Sequence, residues 1–394
     1  MKKYNFDELI PREGTDALRL EGMIAETGRT DLLPLWVADM DFQTPDFIMH
    51  SIKHRLEQRI LGYTIPSSQY YASIINWVGH RFGWTIEKDW IHFVAGVVPG
   101  VNFALNALTE KGDGVLIMNP VYHPFHMVIE STGRRTVVSP LRIVDGRYEM
   151  DLDDIASKLS DCKVLILCNP HNPGGIVWHH EELVRLAEIC AEKGVKVISD
   201  EIHADLTLHG FKHTPFASIS EEAANLTVTL MAPSKTFNMP GIVASYYIIP
   251  NAELRNRVFT YLDMGDIGNG NIFSFDCTMA CYTDEGEDWL NQMLTYVEGN
   301  IRYVVDFLAA HCPRIGAIRP EASFLMYLDN RDLNFATQKQ LVDFYQNEAR
   351  LYLNDGVMFG KEGTGFMRLN VASPRKVMEE AMRRLKTAYD KAGF

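Results

Sequence analysis

The sequence predicts an α/β fold: a large domain on a mostly parallel sheet flanked by helices, and a smaller α+β domain. The chain has 394 residues and is 46% hydrophobic, which is more than one ordinary core needs. Between residues 101 and 234, short apolar runs alternate with helix-like segments, as in right-handed βαβ units. The last third mixes strands and helices less regularly, as expected of a smaller α+β domain.

The elements follow in order along the chain. Residues 101–108 have helical apolar spacing after a Pro-Gly pair, and residues 181–194 have it before a glycine. Residues 284–312 predict one long helix, and a last helix lies near 374–391. Strands are predicted within 114–120, 163–170, 195–201, 226–234, 323–330 and 366–373.

The predicted boundaries divide the chain into three parts. Residues 1–45 are too short to fold alone, so we expect them to join the small domain. Residues 46–285 would form the large domain, and residues 286–394 would form the C-terminal small domain.

Composition excludes several classes of function. The formal net charge is −13 and no dense Lys/Arg run exists, so we expect no nucleic-acid partner. No apolar run reaches the roughly 18–20 residues of a membrane span, and "MKKYNFDELIPREG" lacks the apolar region of a signal peptide. The six cysteines are scattered without a C-x-x-C pair, which predicts reduced thiols, no metal site and a cytoplasmic protein.

Polar and aromatic side chains follow four of the predicted strands. Because ligands bind outside the carboxyl ends of parallel strands, these residues should meet at one edge of the sheet. Each also has an ordinary interpretation: Asn-Pro is a common turn, an aspartate often caps a helix, and most lysines are exposed. The residues are Tyr122, Asn169 and Asn172, Asp200 and His203, and Ser234 and Lys235.

Three of these stretches carry a family resemblance. "NPHNPGG" (169–175), "SDEIHADL" (199–206) and "PSKTFNMPG" (233–241) resemble the ordered motifs of pyridoxal-phosphate enzymes of the aspartate-aminotransferase fold, fold type I. "LPLWVADMDF" (33–42), "GYT" (62–64) and "AGVVPG" (95–100) resemble its cystathionine β-lyase, or carbon–sulfur lyase, branch. The resemblance extends over most of the chain.

The resemblance implies pyridoxal 5′-phosphate as cofactor, and it assigns roles around the ring. Lys235 would hold the cofactor as a Schiff base and carry protons, and Asp200 would pair with the pyridine nitrogen. Asn172 would hydrogen-bond the ring hydroxyl, and Tyr122 would stack on the ring as a third catalytic residue. His203 would lie nearby, where many relatives have a tyrosine. A core histidine and a packed tyrosine are the alternatives for His203 and Tyr122.

The resemblance also implies how the phosphate is held. Val97 and Val98 would supply main-chain donors at a helix N-terminus, and Ser234 would supply a hydroxyl. Tyr63 would reach the phosphate from a neighbouring subunit, which implies a homodimer with shared active sites. Aminotransferases of this fold usually have an arginine eight residues after the lysine, where this chain has Val243.

Three further residues would face the substrate. Arg368 resembles the arginine that grips the α-carboxylate, for which a planar guanidinium is well suited; the alternative is a surface arginine. Trp36 and Asp39 resemble a segment at the substrate entrance, although this segment could simply pack the two domains together.

The predicted activity is α,β-elimination. An amino-acid thioether such as L-cystathionine, or a related cysteine S-conjugate, would be cleaved to a thiol, pyruvate and ammonia. One alternative is a class I/II aminotransferase on the same fold, and Val243 argues against it. The other is a protein that keeps the fold mainly to bind a regulatory partner.

Overall fold

The computed structural model describes residues 2–394. Its β-strands, in chain order, are β1 (Leu33–Pro34), β2 (Ile91–Val94), β3 (Gly114–Ile117), β4 (Arg135–Val138), β5 (Arg142–Val144), β6 (Arg147–Glu149), β7 (Cys162–Cys168), β8 (Lys196–Asp200), β9 (Thr227–Met231), β10 (Ser245–Ile248), β11 (Gly316–Ile318), β12 (Leu325–Asp329), β13 (Leu351–Tyr352), β14 (Asn354–Asp355) and β15 (Phe366–Asn370).

The α-helices connect these strands and cover the sheet. They are α1 (Met23–Thr27), α2 (Asp46–Leu56), α3 (Ser68–Phe82), α4 (Val97–Leu108), α5 (Pro124–Ser131), α6 (Leu152–Leu159), α7 (His180–Lys193), α8 (Glu221–Leu226), α9 (Ala252–Met264), α10 (Ile272–Cys281), α11 (Asp284–His311), α12 (Gln338–Asp343) and α13 (Arg375–Ala392). Among residues 2–394, no helix combines the length and apolar character that crossing a membrane requires.

The large sheet has the strand order β2-β10-β9-β8-β7-β3-β4 within the described residues. Neighbours in the run from β9 to β4 are parallel, and β10 is antiparallel to both β9 and β2. Strands β3, β7, β8 and β9 are almost entirely buried, because helices pack on both faces of the sheet. The predicted α/β fold with a mostly parallel sheet is therefore confirmed.

A second, antiparallel sheet, β11-β12-β15-β14, lies in the C-terminal third. The N-terminal stretch contacts this third of the chain, because β1 pairs in parallel with β13 and the Asn370 N–H donates to the Leu35 carbonyl at 2.9 Å. The division of the chain at residues 45 and 285 stays a prediction.

Candidate active site

A cavity of about 180 Å³ lies at the carboxyl-terminal edge of the large sheet. Parallel strands end at this edge, so residues that follow different strands meet there. Its lining includes Val97, Val98, Tyr122, Asn172, Asp200, His203 and Lys235. A larger open groove of about 540 Å³ runs along residues 39–44; it is lined by Asp39 but by none of these seven residues. The smaller cavity is therefore the candidate active site, because it contains these seven predicted site residues.

Lys235 lies in the turn after β9, with its side chain partly accessible from the cavity. Its Nζ donates a hydrogen bond to the Ala38 carbonyl at 2.6 Å. Burial lowers the pKa of Lys235 to about 8, with Arg368 adding to the effect and Asp39 and Asp200 opposing it. A lysine with such a pKa is neutral often enough to act as a nucleophile or a base near neutral pH.

Asp200 ends β8 and is 3% exposed. Its Oδ1 accepts the Ile202 N–H at 3.1 Å. Burial raises the pKa of this carboxyl to about 7, and Glu201 adds to the effect, whereas the Ile202 N–H and Lys235 oppose it. Because an opposite charge favours ionisation, a cationic ring nitrogen beside Asp200 would restore its negative charge.

Arg368 projects from the middle of β15 and is 4% exposed. It donates to Asn172 Oδ1 at 3.1 Å, to Asn354 Oδ1 at 2.6 Å and to the Trp36 carbonyl at 3.0 Å. Within residues 2–394 its Nε has no partner. Burial lowers the pKa of Arg368 to about 10, so it is still charged at neutral pH. A buried cation with only uncharged partners is costly, which favours binding of an anion.

Helix α4 begins at Val97, and the cavity lies at its N-terminus. The N–H groups of Val97 and Val98 have no acceptor within the helix because they belong to its first turn. The prediction that the helix starts after Pro99-Gly100 was wrong by four residues. Pro99 fits inside the first turn, since its missing N–H would have had no partner there. The two N–H groups form a site suited to a phosphate.

Val243 borders this helix N-terminus. Its backbone is left-handed, with φ 56°, and its side chain is 42% exposed. A Cβ placed on Gly96, the residue before the helix, would lie 3.7 Å from Val243 Cγ1. An apolar side chain therefore occupies the place where a cation would reinforce an anion site.

Tyr122 and His203 complete the lining. Burial raises the pKa of the Tyr122 phenol. His203 is almost fully buried, and its Nδ1 has no hydrogen-bond partner in the described chain. Burial lowers the pKa of His203 to about 3, and the charges of Lys235 and Arg368 add to the effect. The imidazole is therefore neutral and keeps one ring nitrogen available for a ligand.

Five predicted site residues lie outside the lining, and one of them, Arg368, contacts it through Asn172. Ser234 is buried beside Lys235. The Trp36 indole donates to the Arg19 carbonyl at 2.9 Å. The contact of Trp36 with the site is made by its backbone carbonyl, which accepts from Arg368. The Asp39 carboxylate pairs with Arg12 at 2.7 Å and with Arg19 at 2.9 Å. Tyr63, between α2 and α3, is fully exposed. The roles assigned to all of the predicted site residues stay predictions.

Sequence reasoning missed the peptide oxygens of the site. The Ala38 carbonyl contacts Lys235, and the Trp36 carbonyl contacts Arg368. A backbone carbonyl has no residue-type signature, so no motif could reveal it. Asn370, which holds this backbone, was also missed. Its spacing was a usable signal, because side chains two apart on a strand share a face and Arg368 was already a candidate.

The cavity fits pyridoxal 5′-phosphate in its polar groups. Lys235 provides an amine of lowered pKa, Asp200 a carboxyl that needs a cation, and α4 a pair of free N–H groups. The Asn172 Oδ1 is occupied by Arg368, which leaves its amide nitrogen as a donor. Within residues 2–394 the Nδ1 of His203 has no hydrogen-bond partner, so it is a further group that can bond a ligand.

Comparison with known proteins agrees with this geometry. The family model for aminotransferase class I and II matches residues 30–385. The cystathionine β-lyase PatB of Bacillus subtilis (strain 168) is 40% identical over 386 residues, which cover 98% of this chain and 99% of PatB. Cystalysin from Treponema denticola, whose structure contains pyridoxal 5′-phosphate, is 35% identical with a TM-score of 0.95, covering 99% of this chain and 100% of that one. The PLP-bound C–S lyase from Staphylococcus hominis is 35% identical with a TM-score of 0.90, covering 98% and 99%.

Proposed function

The chain belongs to the aminotransferase class I and II family and is a pyridoxal-phosphate-dependent carbon–sulfur β-lyase, and we propose that it cleaves L-cystathionine or a related cysteine S-conjugate. The products of this α,β-elimination are a thiol, pyruvate and ammonia. The observation that carries the choice of an amino-acid substrate is Arg368, a buried cation whose partners are all uncharged. The α-carboxylate of an amino acid supplies the missing charge.

In the proposed mechanism, three residues of the chain bind the substrate, remove its proton and supply a negative charge. Arg368 binds the α-carboxylate and thereby fixes the position of Cα. Lys235 Nζ removes the Cα proton, a transfer that typically contributes about 10²–10⁴-fold. Asp200, which lines the cavity, would be ionised beside a cationic ring nitrogen. When bound, pyridoxal phosphate supplies an electron sink for the charge that develops at Cα. The electron pair of the Cα–H bond becomes the Cα=Cβ double bond as the Cβ–S bond breaks, and the pair of the broken bond leaves with sulfur as the thiolate. Water then hydrolyses the released enamine to pyruvate and ammonia.

In this proposal residues of the cavity lining would hold the cofactor. Lys235 would form the covalent anchor, Asp200 would pair with the ring nitrogen, Asn172 would bond the ring hydroxyl, and Tyr122 would stack on the ring. Val97 and Val98 donate their N–H groups to the phosphate, and the Ser234 hydroxyl assists. His203 supplies a neutral hydrogen-bonding nitrogen. Support comes from their common location and from the pKa shifts that burial produces in Lys235 and Asp200.

We further propose a homodimer with shared active sites. Tyr63 is fully exposed, and Ile60, Leu61 and Ile65 are between 65% and 83% exposed. A cluster of exposed apolar side chains favours burial against a second copy. Tyr63 of the partner subunit would then reach the phosphate. A cytoplasmic location is supported by Cys162, Cys168, Cys190, Cys277, Cys281 and Cys312, which are all free and buried.

The test supplies L-cystathionine to the holoenzyme without any keto acid. Pyruvate and free thiol should accumulate together, and the Lys235→Ala variant should release neither. An amino-group transfer that requires an added keto acid and liberates no thiol would refute elimination. Comparison of cystathionine, cystine and S-alkylcysteines would then identify the preferred leaving group.

A further inference from the structure

Residues 36–39, here called the strap, run beside the cavity, which Ala38 lines, and their backbone contacts both cations of the site. The Trp36 carbonyl accepts from Arg368 Nη2 at 3.0 Å. The Ala38 carbonyl accepts from Lys235 Nζ at 2.6 Å. The strap therefore touches the group proposed to bind the carboxylate and the group proposed to move the proton.

One side chain, that of Asn370, donates to both of the other carbonyls of the strap. Asn370 Nδ2 donates to the Val37 carbonyl at 2.6 Å and to the Asp39 carbonyl at 2.7 Å. Its Oδ1 accepts the Ala372 N–H at 2.8 Å. Asn370 is completely buried, and it lies two residues after Arg368 on β15, so both side chains share one face of the sheet. The carbonyls of residues 36 and 38 thus bond to the two cations of the site, and those of residues 37 and 39 bond to Asn370.

We propose that Asn370 is a positioning residue for the lyase reaction. It holds the strap so that the Ala38 carbonyl directs the Lys235 amine and the Trp36 carbonyl directs the Arg368 guanidinium. This inference rests on the roles proposed above for Lys235 and Arg368. The Ala38 carbonyl takes one N–H of Lys235, which fixes the direction in which the amine lone pair can face Cα.

A peptide carbonyl suits this task better than a carboxylate would. A carboxylate at 2.6 Å from Lys235 Nζ would favour its charged form and raise its pKa. The carbonyl orients the amine without adding a full charge, so the amine remains a usable base. The nearby Asp39 carboxylate is instead engaged by Arg12 and Arg19. The strap therefore orients Lys235 and leaves its basicity largely to burial.

Loss of the Asn370 amide should shift the strap without unfolding the protein. Arg19 also donates to the Val37 carbonyl at 3.3 Å and to the Asp39 carbonyl at 2.9 Å. Neither carbonyl is therefore left without a partner when Asn370 is shortened. The buried Ala372 N–H does lose its acceptor, a cost that the melting temperature measures.

Asn300 provides a matched control. It too is completely buried, and its Nδ2 donates to two backbone carbonyls, those of Val371 at 2.9 Å and Ser373 at 2.8 Å. Its Oδ1 accepts from Arg375 Nε at 2.9 Å. The carbonyls that it holds belong to residues 371–373 rather than to the strap.

The experiment compares Asn370→Ala with Asn300→Ala as holoenzymes. Melting temperatures measure the structural cost of each change. The kcat and KM for L-cystathionine measure the reaction, and a spectrophotometric titration with glycine measures binding of an amino acid that has no leaving group. Asn370→Ala should lower kcat and weaken glycine binding about tenfold each, since bonds to the two charged groups are misplaced. Asn300→Ala should change both less than threefold at a similar loss of melting temperature.

Equal losses of kcat and glycine affinity in the two variants would overturn the proposal, as would no loss in Asn370→Ala. If Asn370→Ala does not fold, Asn370→Ser, which keeps one short donor, takes its place under the same criteria. A wild-type enzyme that releases no thiol would refute the proposed function instead, and the glycine titration would still test the action of Asn370.

Discussion

Replacing Asp200 with asparagine should stabilise the cofactor-free protein while impairing the holoenzyme. Asp200 is 3% exposed, and its hydrogen-bond donor is a single peptide N–H, from Ile202. Burial raises its pKa to about 7, above the value of about 3.9 in an unfolded chain. The folded, cofactor-free state therefore resists the ionisation that its function requires.

The magnitude follows from linkage. Between about pH 4 and pH 7 the folded state retains a proton that the unfolded state has lost, so folding stability falls as the pH rises through this window. About three pKa units at 1.36 kcal/mol each give a cost of at most roughly 4 kcal/mol above pH 7. Asparagine has a similar shape and does not ionise, so Asp200→Asn should remove most of this cost at pH 8 and little of it at pH 4.5.

The assay is thermal melting of cofactor-free protein at pH 4.5 and pH 8. The melting temperature of Asp200→Asn should exceed that of the wild type at pH 8, and the gap should close at pH 4.5. Asp306→Asn, which alters an exposed aspartate on α11, should show no such dependence. In the holoenzyme the same Asp200 change should lower kcat about 10²-fold, because a buried charged partner is lost. A stability difference that is the same at both pH values would refute the reasoning.

Three further predictions concern the other site residues. Lys235→Ala should abolish both the visible absorption of the holoenzyme and the covalent adduct found by mass spectrometry after borohydride reduction; a remaining adduct would move the anchor to another lysine. Arg368→Ala should raise the KM for cystathionine roughly 10- to 100-fold, as expected for loss of a charged contact, while Arg331→Ala, on the surface at Asp329, should not; equal effects would refute the carboxylate site. Co-folding Lys235→Ala with Tyr63→Ala should yield heterodimers more active than either variant, and no recovery would argue against a shared site.

The parts of the site that sequence could predict are those that follow strands. Asp200 ends β8, and Asn172 and Lys235 follow β7 and β9. The topology of a parallel sheet brings such positions to one edge whatever the details of packing. Helix α4 was predicted but begun four residues too late, because the helix was expected to follow Pro99-Gly100, whereas proline is tolerated within a first turn.

The contacts of the strap could not be predicted from the sequence. Trp36 and Asp39 were chosen for their side chains, yet the groups that touch Arg368 and Lys235 are peptide oxygens of Trp36 and Ala38. Which carbonyl points at which cation depends on tertiary hydrogen bonds, here those of Asn370. Those bonds join residues more than 300 positions apart, so neither local propensity nor spacing could supply them.

Val243 has consequences for how the cofactor is retained. At the N-terminus of α4, a phosphate meets two N–H groups and the positive end of a helix dipole, which is worth about 0.3–1 kcal/mol at an exposed site. A guanidinium in place of the Val243 side chain would add a full charge and a bidentate contact, and the chain forgoes both. In the proposed site, retention of the cofactor would then rest more heavily on the covalent bond to Lys235 and on Tyr63 of the partner subunit. Loss of either should therefore release cofactor more readily here than in a relative that has the arginine.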